Sequence, residues 1–515
     1  MPNTHKRHIT RAASLILAAG LCFGLLGLAG CGEDDGSGKV INYPMEAAPK
    51  RLDPAVAQSP EELLVVYNCM EGLVREDAEG RLAPGVAERW DVSADGRALT
   101  FHLRGDNHWR LPDKAAELLG EEAFAAFDTQ VTAQDFVFGL ERARGLAGDL
   151  GILGVRALDR HTLEITIESP GEAFLYALAR SAAMPCNRAY FEACGGRYGL
   201  EPRYLPCNGP FYLDRMNDSL TRLKPNESYG ENGLALPATV NLWTEPDAFL
   251  RARLLGTEYD AAIVPEAREA PEGSNKIELK NATLALVFNC RTLEDVNIRV
   301  ALCAALEPQA LGIAVGDGAP GLLPEGMRAG RANYREAAGP ANGIKYDPAR
   351  AAALADAAQG KITLRLVCAP AHETLLRRAL QAWQRVFRLG LEAQVEILEP
   401  EALRERLEDG DFDVAVAELR MERSAAPEAL RALEGAGSPA RYRSPALETL
   451  LLAAARTGDT AGACLQAEAH LLQNGVYYPL EGLSSWLLLA PGVEGLEAAP
   501  AGELVGFRGV RKREK

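Results

Sequence analysis

Only one stretch of this 515-residue chain is long and apolar enough to enter a bilayer, the run from Ala12 to Ala29. Everything after it must fold in water, so a polytopic channel or permease is excluded. Lys6, Arg7 and Arg11 precede the run, and no acid occurs before Glu33. A basic segment followed by an apolar core of this length reads as an export signal over residues 1–30. The alternative is an uncleaved membrane anchor. Residues 31–38, with Glu33, Asp34, Asp35 and three glycines, have the composition of a flexible tether. Removing residues 1–30 takes away three positive charges, so the net charge moves from −16 to −19. Such an acidic body argues against a nucleic-acid partner. Its hydrophobic content of 47% excludes whole-chain disorder.

Local signals outline an α/β chain. Lys39–Asn42 reads as a first strand. Ser59-Pro60-Glu61-Glu62 predicts a helix start, with Ser59 as cap, Pro60 at the first helical position and Glu62 closing a capping box. Apolar residues at one helical face continue it through Leu63, Leu64, Tyr67, Met70 and Leu73. Residues 97–104 and 161–168 alternate as strands, and Thr132 precedes a helix through Phe136, Val137 and Leu140. Further on, a strand at 362–367, an amphipathic helix at 373–389 closed by Gly390, a strand at 391–398, a helix at 401–408 and a buried strand at 413–417 imply parallel pairing. Residues 445–474 predict one or two long helices.

Several motifs for chemistry fail on inspection. The ten cysteines contain no CxxC pair, which removes zinc-ribbon and thioredoxin-like readings. Cys186, Cys194 and Cys207 cluster in one loop-rich stretch; buried free thiols are the expectation, a local disulfide the alternative. Gly316–Gly321 fits GxGxxG, yet Pro320 and Pro324 deny it the following helix that dinucleotide binding needs. Gly38-Lys39 lacks the Ser/Thr of a P-loop. The seven histidines include no HExxH pair, and no GxSxG elbow is present. No metal, no cofactor and no catalytic set is therefore expected. An extracytoplasmic hydrolase is the weakest of the alternatives.

Leu28-Ala29-Gly30-Cys31 resembles the bacterial lipoprotein signal, which implies that Cys31 is lipidated and becomes the first mature residue. Leu82-Ala83-Pro84-Gly85-Val86-Ala87-Glu88-Arg89-Trp90 resembles a signature of the family 5 extracellular solute-binding proteins, the peptide-binding components of ABC importers. Other stretches agree in order: Leu52-Asp53-Pro54, Glu71-Gly72-Leu73, the block from Leu99 to Arg104 followed by Trp109, Val131–Phe138, Asn208-Gly209-Pro210-Phe211, Phe288-Asn289 with Val296–Leu302, Tyr346–Arg350 and Gly410–Ala415. Three departures stand near the ligand region of relatives. An Ala- and Glu-rich insertion separates Trp109 from Val131, Leu419 stands where the family usually has Trp, and the Asn expected near Arg441-Tyr442-Arg443 is absent.

The resemblance implies a two-lobed periplasmic-binding-protein-like fold (type II, cluster C) with an extra N-terminal subdomain. The first lobe would comprise 39–63, 183–262 and 481–515, the inserted subdomain 64–182 and the second lobe 263–480. A peptide would lie between lobes that close by hinge motion. Gln58 and Ser59 match a cleft-lining segment of the first lobe. Leu419-Arg420-Met421-Glu422 matches the second-lobe segment whose acid, here Glu422, holds a peptide's α-ammonium. A solvated surface acid is the alternative for Glu422, and Arg420 or Arg423 would pair with it or hold a ligand carboxylate. Tyr67, Trp109 and Trp486 are stacking candidates, although core packing is the commoner role of such residues. The expected partners are a peptide or other small solute, ABC permease subunits and the outer face of the cytoplasmic membrane through the lipid anchor, for a monomeric protein. A nonpeptide solute such as a nickel chelate, haem, an opine or a sugar is the second expectation, and a receptor without transport the third.

Overall fold

The computed structural model describes residues 39–513, except 79, 145, 147–150, 168–172, 231–233, 235, 269, 314–317, 331, 358–360, 422–424, 436, 457–458 and 499–503. The export signal, the tether, Cys31, Glu422 and Arg423 lie outside the described residues. No helix among the described residues is long and apolar enough to cross a membrane.

The chain builds three main sheets. In the first, Val40–Met45 runs parallel to Thr239–Thr244, which pairs antiparallel with Leu220–Pro225 and then Phe211–Met216. Asn217 makes the last hairpin turn, its side-chain oxygen accepting from Ser219 N at 3.1 Å and Leu220 N at 2.9 Å. The second sheet is fully antiparallel, in the order Ala87–Val92, Ala98–Leu103, Thr162–Ile167, Ile152–Ala157. One continuous core joins these two sheets, with Ile41, Phe101, Trp109, Phe136, Ile165 and Phe211 inside it.

The third sheet has six strands, ordered Ala261–Val264, Tyr477–Leu489, Asn275–Phe288, Val414–Arg420, Ile362–Cys368, Leu391–Ile397. Ile362–Cys368 runs parallel to both Leu391–Ile397 and Val414–Arg420, as the strand–helix–strand order predicts. The helix Glu373–Phe387 buries Leu376, Ala379 and Trp383 on one face against this sheet, and the Trp383 indole donates to Leu302 O at 2.8 Å. The helices Pro445–Arg456 and Thr460–Gln473 lie across the opposite core. On the buried face of the second of them, Glu468 is completely buried and accepts from Tyr334 Oη at 2.6 Å, from Arg335 and from Leu322 N.

The two longest strands, Asn275–Phe288 and Tyr477–Leu489, pair antiparallel from Asn275↔Leu489 to Val287↔Tyr477. They belong to more than one core. Leu279 and Leu487–Leu489 pack in the first core. At the other end, the period of two sends Leu284, Leu286 and Phe288 to one face and Ala285 and Val287 to the other, into two further cores. The pairing shifts register between Leu279 and Ala282. In that irregularity Asn281, fully buried, donates from Nδ2 to Ser485 Oγ at 3.1 Å and accepts from Ser485 N at 3.3 Å. The double strand thus carries a polar clasp where it passes from one body to the other.

The helix predicted from Ser59 forms over Pro60–Cys69 with its capping box intact: Glu62 N donates to Ser59 Oγ at 3.2 Å, and the Glu62 carboxylate accepts from Ser59 N and Gln58 N. It stops before Leu73, which the periodicity had included. Gly209 N captures Cys69 O at 2.9 Å, and Asn208 Oδ1 accepts from Glu71 N at 3.1 Å, so the Asn208-Gly209 turn takes over the chain there. A Cβ on Gly209 would stand 2.7 Å from Cys69 C, which is why only glycine fits. The insertion after Trp109 forms two short helices, Ala115–Leu119 and Glu121–Ala125, broken at Gly120 with φ of 84°.

Candidate functional site

The bodies on either side of the long strands touch through the helix Ala173–Leu178 and the turn after it. Tyr176 Oη lies 3.4 Å from Gly80 O and 3.3 Å from Gly330 O, the second belonging to the far body. Arg180 Nη1 stands 3.4 Å from Glu428 Oε2, across the same junction. The adjoining Ser181 N donates to Tyr67 Oη at 2.7 Å, tying this turn to the capped helix. Tyr67 in turn lines a cavity of about 140 Å³ beside the junction, whose walls include Met70, Val74, Ala179, Met184 and Leu504.

One side of this cavity is charged: Glu71 and Asp77 are paired, while Arg75, also in its wall, has a buried Nε without a hydrogen-bond partner among the described residues. Glu71 is buried and accepts from Arg104 Nη2 at 2.5 Å and from Tyr229 Oη at 2.7 Å, with Arg508 at 3.6 Å. Burial, with the Glu71 charge beside it, pushes the Tyr229 phenol up, so it stays a hydrogen-bond donor. Burial lowers the Arg508 guanidinium, and the like charges of Arg75 and Arg104 lower it further. Asp77 is paired with Arg81 at 2.8 Å.

On the far body the strand Val414–Arg420 approaches the clasp. Ala415, Ala417 and Leu419 share one buried face, and Met421 beyond the strand joins them in the same core. By the period of two, Glu418 and Arg420 project from the opposite face. Arg420 Nη2 contacts Glu418 Oε2 at 2.6 Å, and its Nη1 lies 3.4 Å from Ser485 Oγ. His372 Nε2 stands 3.5 Å from Glu418 Oε1. His372 first, and Arg420 with it, hold the Glu418 carboxyl down at about 2. Met421 N donates to Asn281 O at 2.8 Å, so this strand end is bonded to the clasp itself.

These placements sort the residues expected to bind ligand. Tyr67 lines the cavity. Gln58 is exposed at the helix entrance, while the Ser59 hydroxyl is occupied as the helix cap. Arg420 is solvent-accessible beside Glu418. Trp109 is 1% exposed and Leu419 5%, both within cores, so neither offers a stacking or pocket surface; Met421 is likewise buried at 4%. Leu419, which stands where the resemblance implies Trp, packs inside a core. Trp486 packs partly buried against the first core. The residues that sequence reasoning missed are Glu71, whose partners lie far along the chain, and the pair Asn281–Ser485. Glu71 was legible only as part of a Glu-Gly-Leu motif.

All eight cysteines among the described residues carry free thiols. Burial pushes Cys186 up to about 12 and Cys194 up to about 11, which makes both unreactive. Among the described residues no group of three or more His, Cys, Asp or Glu side chains is arranged to hold a metal ion.

A family model described as bacterial extracellular solute-binding proteins, family 5 middle, matches residues 81–434, more than half of the chain. Among curated proteins, the oligopeptide-binding protein AmiA of Streptococcus pneumoniae is 30% identical over 265 residues, covering 46% of this chain and 38% of that protein. The periplasmic murein peptide-binding protein MppA of Escherichia coli is 32% identical over 209 residues, covering 36% of this chain and 35% of its own. A probable deoxycholate-binding periplasmic protein of the same species, YgiS, is 30% identical over 213 residues, covering 36% of each. These matches span less than two fifths of the relatives' own lengths. Whole-chain similarity appears in three dimensions. Listeria monocytogenes OppA bound to peptide superposes with a TM-score of 0.73 at 20% identity, over 93% of this chain and 100% of that one. The unliganded open form of MppA superposes with 0.61 at 22% identity, over 93% and 98%.

Proposed function

The chain belongs to the family 5 bacterial extracellular solute-binding proteins, and from that premise we propose that it captures a peptide between two lobes and delivers it to an ABC importer. Members of this family are solute-binding proteins, not enzymes. The lobes in this reading are 39–63 with 183–262 and 481–515, carrying the subdomain 64–182, and 263–480. The observation that carries the reading is the pair of long strands. Bodies with separate cores, joined through one double strand and touching elsewhere through small contacts such as Arg180–Glu428, are built to open and close.

Ligand contacts made with both lobes at once would stabilise the closed state. Glu422 follows directly on Met421 and is assigned the peptide's α-ammonium. Gln58 and Tyr67 contribute from the first lobe, and Arg420 from the second. Cys31 is assigned the lipid anchor, which holds a monomeric receptor at the outer face of the cytoplasmic membrane. Two or three acyl chains, each contributing roughly 0.8 kcal/mol per buried CH2, suffice for stable attachment.

The test is isothermal calorimetry with tri- and pentapeptides, alongside mass spectrometry of ligand released from the purified protein. A bound peptide, with binding weakened at least tenfold in Glu422→Gln, is the expected result. Peptide binding as tight in Glu422→Gln as in wild type excludes the ammonium role. The second reading, a nonpeptide solute, is favoured by one relative, YgiS, named as a probable deoxycholate-binding protein, and a released nonpeptide molecule would establish it.

A further inference from the structure

We infer that the cavity beside Tyr67 is a subsite for one apolar side chain of the bound peptide, of leucine or phenylalanine size. This rests on the peptide-binding reading above and names what that site selects.

The size argument comes first. The cavity holds about 140 Å³. Apolar protein cavities of about 150 Å³ accept a benzene-sized guest and otherwise stay dry. The walls supply the chemistry: Met70, Val74, Ala179, Met184 and Leu504 present hydrocarbon and thioether surface, and Tyr67 one ring. Methionine side chains adapt to guests of differing shape, so both branched and aromatic side chains would be accommodated.

Two acids of the rim are already committed: Glu71 is paired with Arg104 and Asp77 with Arg81. A cationic guest would have to displace one of those partners, whereas an apolar one displaces only water; an anionic guest would instead meet Arg75, whose buried Nε has no hydrogen-bond partner among the described residues.

Position makes the cavity part of the ligand's path. Ala179 of its wall is followed by Arg180, which reaches Glu428 of the other body, and Ser181 N is bonded to Tyr67 Oη. The cavity therefore adjoins the point where closing lobes meet, where a peptide side chain would be enclosed.

The test is calorimetry of wild-type protein against tri-alanine and penta-alanine and their single-leucine and single-phenylalanine variants at every position. Burying such a side chain predicts about 10- to 100-fold tighter binding at one position. Ala498→Phe, which fills the cavity from its wall, is expected to erase that gain while alanine peptides still bind. Met184→Ala, which enlarges it, is expected to move the preference toward tryptophan, with thermal melting confirming that each variant folds. Alanine and leucine peptides bound equally at every position would overturn the subsite and leave peptide capture standing. No binding by any peptide would instead remove the reading beneath it.

Discussion

Asn281 offers the sharpest handle on how the bodies are joined. Its side chain is completely buried at the register break of the long strands, and it satisfies both the backbone N–H and the hydroxyl of Ser485. Asn281→Leu keeps the branched shape and the number of heavy atoms but removes both hydrogen bonds. Each buried polar group left unsatisfied costs about 1–3 kcal/mol. Arg420 retains contact with the Ser485 hydroxyl at 3.4 Å, so one of the two losses is partly offset. The expected destabilisation is about 2–4 kcal/mol. Urea unfolding followed by tryptophan fluorescence measures it, because Trp109 sits in the first core and Trp383 in another. Weakening the strands between them should also spread the transition, as the bodies then unfold less in concert. A double-mutant cycle with Ser485→Ala should return a coupling of about 1–2 kcal/mol. An Asn281→Leu curve that superimposes on wild type, with no coupling to Ser485, would refute the clasp.

Further outcomes follow from other contacts. Glu428→Gln removes the interlobe pair with Arg180, a partly exposed interaction worth about 0.5–1 kcal/mol, so peptide affinity should fall about two- to fivefold with thermal stability unchanged. Glu468→Gln leaves Arg335 buried without its charge partner and should cost about 3–5 kcal/mol in equilibrium unfolding. The Glu418 carboxyl is depressed to about 2 in the folded chain, below its unfolded value of about 4.3, so its contribution is present above that value and is lost as pH falls toward 2. Because a third of the side chain is exposed, that contribution is about 1 kcal/mol; Glu418→Gln should be less stable than wild type at pH 6, with the gap closing by pH 2.5. Cys31→Ser should lose fatty-acid incorporation in metabolic labelling, and a labelled variant would remove the anchor assignment.

Local chemistry was readable from residues in order. The Ser59–Glu62 capping box, the Thr132 helix start and the strand–helix–strand run from Ile362 to Ala417 each depend on neighbours within a few positions, and each is found. What sequence order hides is orientation and distant partnership. Leu419 and Met421 were set beside Arg420 as one lining segment, but alternation along a strand sends them into a core while Glu418 and Arg420 face away. Trp109 packs in the first core, the commoner of the two roles its sequence leaves open; nothing nearby in sequence says which side of its chain faces solvent. The clasp joins residues 204 apart and the Glu71–Tyr229 bond residues 158 apart, pairings that only the folded topology brings together.

Small-angle X-ray scattering of the chain from residue 32 onward, before and after saturation with a peptide shown by calorimetry to bind, tests the pinching motion most directly. Lobe closure predicts a smaller radius of gyration and a profile that changes only with ligand. An unchanged profile at confirmed saturation would contradict capture between moving lobes.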